Sequence, residues 1–135
     1  MMTSGRGAQQ YLQTQVRSRT PLELIVMLYE GALRAVTTAA EAAARRDIRT
    51  RRDNVSKALG ILAELQSSLD REKGGKIAEE LDELYGWMTS RLVDATVKQE
   101  VKPLNEVKKV LQILHDSWQQ VAAKPAQAGS APTAA

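Results

Sequence analysis

The chain contains no cysteine, which excludes a disulfide framework and a thiolate metal site and suits a reducing cytosol. His115 is its only histidine, so no HExxH metal pair can form and no catalytic role is expected of it. No apolar run approaches the roughly 20 residues that span a bilayer; the longest extends from Leu24 to Tyr29. The opening "MMTSGRGAQQ" has no apolar segment of the secretory type. A net charge of +3 is too small an excess to call by itself for a polyanionic partner. The expectation is a cytosolic protein with no cofactor, no metal and no membrane insertion.

What remains is helical pattern. With 135 residues, 43% of them hydrophobic and 26% charged, the chain can bury one modest core. Thr20, Pro21 and Glu23 form a capping-box start for a first helix ending near Arg46. Asp47 caps a second, with Ile48, Val55, Leu59, Leu62, Leu65 and Leu69 at helical spacing and a stop at Gly74-Gly75. A third carries Ile77, Leu81, Leu84, Tyr85, Met88, Leu92 and Ala95. A fourth starts near Pro103 and carries Leu104, Val107, Leu111, Leu114, Trp118 and Val121. Short connections make neighbours antiparallel, so the expected fold is all-α: an up-down four-helix bundle over 20–123. Residues 1–19 form a partly mobile arm and 124–135 a disordered tail. Tyr11, Leu12 and Val16 could dock as a short amphipathic segment.

The first helix, "PLELIVMLYEGAL" and onward, has too much apolar surface for an ordinary bundle member. Leu22, Ile25, Val26, Tyr29, Ala32, Leu33, Val36 and Ala40 make the core stripe, and Leu24, Leu28, Gly31 and Ala35 make a second stripe beside it. The apolar arc covers roughly 220° at 100° per residue, against a stripe little over 100° wide in a typical surface helix. Ile61 beside Ala58 and Leu65, and Val110 with Ile113, repeat the theme on the second and fourth helices. Two readings stand. The flanks pack on neighbouring helices, or they form an exposed groove for an apolar helix of another chain, which the Tyr11 segment could cover in the free protein. The candidate partner-binding residues on the second reading are Tyr11, Leu12, Leu24, Leu28, Gly31, Ala35, Ile61, Leu65, Val110 and Ile113. Gly31, Gly60 and Gly86 each interrupt a helix at a cost of about 1 kcal/mol relative to alanine, which close backbone approach or malleability would explain, as would a tolerated accident.

Other features have plainer readings. "RRDIRTRRD", Arg45 to Asp53, suggests a phosphate- or nucleic-acid-binding patch through Arg45–Arg52 as the alternative function. Its interleaved aspartates and lack of aromatics favour a solvated hairpin tip, so no nucleic-acid partner is expected. Glu79, Glu80, Asp82 and Glu83 crowd the start of the third helix, where carboxylates complement the helix dipole. Lys98, Lys102, Lys108 and Lys109 gather toward the opposite end. Tyr29 and Tyr85 read as core aromatics with wet hydroxyls, Trp118 as core, and Trp87 as half exposed. No catalytic residues are expected.

Tyr11, "PLELIVMLYEGAL", Asp47, "VSKALGILAELQSSLD", "GGKIAEELDELYGWM" and "LNEVKKVLQILHDSW" occur in that order, and together they resemble the flagellar secretion chaperone FliS family from about Tyr11 to Trp118. In that likeness Tyr11 matches the N-terminal tyrosine, Pro21 to Gly31 the first-helix signature, and Gly74-Gly75 the turn before the third helix; Glu30, Thr96 and Pro103 depart from the usual pattern. The resemblance implies a cytosolic helical-bundle chaperone that binds the C-terminal segment of flagellin and blocks premature filament assembly. It also implies delivery of that subunit to the flagellar type III export apparatus, an export-gate component as a second partner, and an N-terminal arm that shifts on binding.

Overall fold

The structure, a computed structural model, describes residues 19–124. They form four helices: α1 (Pro21–Ala44), α2 (Ile48–Ser67), α3 (Arg71–Lys98) and α4 (Lys102–Ala123). Each of the first three starts on a side-chain cap that satisfies an orphan amide. The Thr20 hydroxyl accepts from the Glu23 amide, Asp47 from that of Thr50, and Asp70 from that of Lys73. Helix α4 has no such cap and relies on Pro103 near its start, where a missing N–H costs nothing.

Neighbours run antiparallel. Gln66 near the end of α2 donates to Asp82 early in α3 at 2.7 Å, and Arg91 late in α3 holds Glu106 early in α4 at 2.6 Å. Helix α1 packs between α2 and α4, and α3 closes the ring on its far side. The α1–α2 and α3–α4 turns therefore share one end of the bundle, with Arg45, Arg49, Lys98 and Lys102 exposed there, while Glu79, Glu80 and Glu83 lie toward the other.

The core is built around α1, whose Ala32, Ala35, Ala39 and Ala42 are buried in series. Small side chains let α2 and α4 approach closely, and Leu62, Leu65, Met88, Leu92, Leu104 and Leu111 fill the centre. Three expectations need correction. The second helix stops at Ser67, not at Gly74-Gly75, because Asp70 caps α3 and the glycine pair falls inside it. Gly75, at φ 51° and ψ −124°, kinks α3 after its first turn in a conformation that suits only a residue without Cβ. Ile48 and Ile77 do not join the core: each sits within the first two turns of its helix, at an end of the bundle, and they are 49% and 60% exposed. Tyr29 and Tyr85 have no wet hydroxyls. Facing each other across the bundle from α1 and α3, they bond Oη to Oη at 2.6 Å in the buried centre, with ring centroids 6.5 Å apart.

A Cβ added at Gly86 would meet nothing within 4 Å. Gly86→Ala is therefore expected to stabilise the protein by about 1 kcal/mol through helix propensity alone, a rise of several degrees in Tm. A thermal melt showing no gain would contradict the open environment described for this position.

Candidate functional site

Between α1 and α2 lies an open groove of about 530 Å³. Gly31 and Ala35 of α1 and Gly60 and Ile61 of α2 form its small, apolar floor, and Arg34, Lys57 and Glu64 stand along its rim. The floor exists because glycines on both helices leave it without side chains. A Cβ on Gly31 would lie 3.2 Å from the Ile61 Cδ1 atom, so the helices touch there, whereas a Cβ on Gly60 would meet nothing within 4 Å. An alanine at Gly31 would gain helix propensity but press on Ile61, so its stabilising effect should be smaller than that of Gly86→Ala. From Gly31 to Thr38 the groove follows α1 for about 10 Å at 1.5 Å per residue, some two turns of a docked helix.

Gly31, Ala35 and Ile61 come together in the groove, while Leu24 and Leu28 continue the same stripe of α1 as half-buried side chains. Leu65 does not belong: it is 1% exposed, turned into the core one turn beyond Ile61, and has no surface for a partner. Val110 and Ile113 form a separate face on α4, which packs against α1 and α3. Val110 is half-buried against the core and Ile113 is 61% exposed. Tyr11 and Leu12 lie outside the described residues, as do Val16 and the tail from 125 onward. The sequence reading missed Gly60, Arg34, Thr38, Asn54, Lys57 and Glu64 as lining residues. Gly60 carried the available signal, a second interrupting glycine on the helix adjacent to Gly31.

On the opposite flank of α1, His115 of α4 is buried. Its Nε2 meets Glu30 at 3.0 Å and its Nδ1 meets Asp116 at 3.1 Å. Burial pulls the imidazole pKa down, but the hydrogen bonds and charges of Glu30 and Asp116 outweigh it and hold it above its ordinary value of 6.5. Because the folded value is the raised one, this contribution to stability is complete below about pH 6.5 and is lost as pH rises through the folded value. His115→Gln should flatten the pH dependence of urea unfolding across that interval; an unchanged slope would exclude the bridge.

In the core, burial and then the charge and hydrogen bond of Tyr85 push the Tyr29 phenol far above its usual range, against a smaller opposing effect of Trp118. Burial likewise raises Tyr85. Neither is placed to donate a proton at neutral pH. Among the described residues there is no cluster of metal-ligating side chains, and no helix is long and apolar enough to cross a membrane.

With this geometry in place, the relatives are informative. The family model of flagellar protein FliS matches residues 4–125. The chain belongs to the FliS family. It is 35% identical to the flagellar secretion chaperone FliS of Salmonella typhimurium over 118 residues, 87% of each protein. Over 110 residues it is 34% identical to the Bacillus subtilis protein of the same name, covering 82% of this chain and 81% of that one. A bacterial flagellar chaperone of known crystal structure superposes with a TM-score of 0.71 at 21% identity, over 87% of this chain and 96% of that one, which establishes the shared fold. FliS proteins are flagellar secretion chaperones, which are not a class of enzyme.

Proposed function

We propose that this FliS protein is a cytosolic export chaperone for flagellin: it binds the C-terminal helical segment, prevents premature polymerisation and aids delivery to the flagellar type III export apparatus, where an export-gate component is its second partner. The observation that carries this reading is the glycine-floored groove between α1 and α2, open along two helical turns. An amphipathic client helix can bring its backbone close over Gly31 and Gly60 and set an apolar side chain against Ile61.

One groove is too small to hold such a client alone, because coupled folding and binding typically buries about 1,000–3,000 Å². The apolar face of α4 around Val110 and Ile113 supplies further surface, so the client segment must be long enough to reach both. Shielding then works by mass action: a complex that covers the polymerisation surface lowers the concentration of assembly-competent subunit.

Co-expression with a flagellin C-terminal peptide followed by size-exclusion chromatography tests this directly. The two should co-elute, and the peptide should gain helicity. A peptide that elutes alone at micromolar concentrations would refute the proposal, and salt-dependent retention on DNA would redirect attention to Arg45–Arg52.

A further inference from the structure

We infer that the rims of the α1–α2 groove read charge on the client: Arg34 and Lys57 take carboxylates and Glu64 takes a cation, so the docked helix carries acid and base about seven residues apart. This rests on the peptide-binding function proposed above and adds which helices the groove accepts. Because Gly31 sits against Ile61 and α1 and α2 run antiparallel, Arg34, three residues on along α1, stands level with Lys57 and Ala58 on α2. The two cations thus face each other across the floor. Arg34 reaches furthest in: its Nη2 lies 3.7 Å from where a Cβ on Gly31 would stand, so the guanidinium overhangs the surface on which a client helix would rest. Glu64 follows Lys57 by two turns along the same face of α2, about 10 Å away at 1.5 Å per residue.

These three side chains are free to pair with a partner. All are exposed, all line the groove, and none forms an ion pair among the described residues. Glu30, one turn before Arg34, is engaged with His115 at 3.0 Å, and Asp53, one turn before Lys57, makes no bridge to it. A helix about 10–12 Å across laid on the floor displaces water from both cations. An apolar or basic helix would strand them, which is costly, whereas a carboxylate at that level pairs with the planar fork of Arg34 or the ammonium of Lys57. The same reasoning sets a Lys or Arg of the client against Glu64, two turns away. Charges that flank an apolar seam at a spacing of seven choose partners in coiled coils, and here the glycine floor supplies the seam.

Calorimetric titration of the full chain with a flagellin C-terminal peptide, at low and at high salt, decides the matter. Arg34→Gln combined with Lys57→Gln should weaken binding about 10-fold at low salt, as two modest ion pairs would, and the deficit should shrink as salt screens the pairs. Tm should be unchanged, since neither cation is paired in the free chain, which keeps a loss of affinity distinct from a loss of fold. A peptide with its Asp and Glu replaced by Asn and Gln should lose the same factor on the wild-type chain, and the doubly substituted chain should bind that peptide no worse than the wild type does. Wild-type affinity in the double variant, or losses that add across this cycle, would overturn the inference while leaving the chaperone function intact. Glu64→Lys separates a two-signed pattern from general attraction to acid: a loss of about 10-fold supports the pattern, and tighter or unchanged binding overturns it. If the wild-type chain binds the peptide at neither salt concentration, the proposed function itself fails and the inference falls with it.

Discussion

Tyr29→Ala is expected to remove about 3–5 kcal/mol of stability, the usual cost of deleting a fully buried aromatic side chain. Against a total of roughly 5–15 kcal/mol for a domain, that would lower Tm by on the order of 20 °C. The hydroxyl pair accounts for a separable share. Tyr29→Phe or Tyr85→Phe leaves the other hydroxyl buried without the 2.6 Å bond now joining them, a loss of about 1–3 kcal/mol. The double phenylalanine variant strands neither group and should be nearer to wild type than either single variant. A double-mutant cycle by urea unfolding measures this coupling. Additive single effects would mean that the two hydroxyls do not depend on each other.

The second large effect is expected in binding rather than stability. Gly60 has space above it, since a Cβ there meets nothing within 4 Å, yet it lines the groove. Gly60→Leu should therefore keep the fold and improve the helix propensity of α2 by about 1 kcal/mol, while placing four carbons where a client backbone would lie. Affinity for the flagellin peptide should fall at least about 100-fold, comparable to losing one well-buried anchor of an interface. Gly86→Leu, on a helix that does not border the groove, is the control and should leave affinity unchanged. If Gly60→Leu binds the peptide as tightly as wild type, the groove is not where the client docks.

The bundle was readable from the sequence because its signals were local and repeated: Thr20 and Asp47 cap helices by chemistry contained within four residues, and the leucine spacings mark one face of each helix. The Gly74-Gly75 pair misled because glycine marks both helix ends and kinks, and only the Asp70 carboxylate, engaged with the Lys73 amide, decides between them. Ile48 and Ile77 followed the apolar spacing correctly but lie where the neighbouring helices no longer cover them, which depends on tertiary overlap rather than pattern. The groove was half legible. Gly31 and Ile61 could be proposed because surplus apolar arc shows on a helical wheel, whereas the presence of Gly60 in the same groove as Gly31, and the separation of Val110 and Ile113 from both, depend on which helices are neighbours in the ring. Leu65 was assigned to the partner face because it lies one turn from Ile61, and the roughly 40° by which four residues overshoot a full turn carries it into the interior.

The run of buried alanines on α1 also constrains how this protein can vary. Ala32, Ala39 and Ala42 are fully buried on the helix that α2 and α4 both pack against, so Ala→Val or Ala→Leu there would overpack the seam and wedge adjacent rods apart. Diversity within that seam would have to arise by paired exchange, a larger residue appearing on one rod only as a smaller one appears opposite.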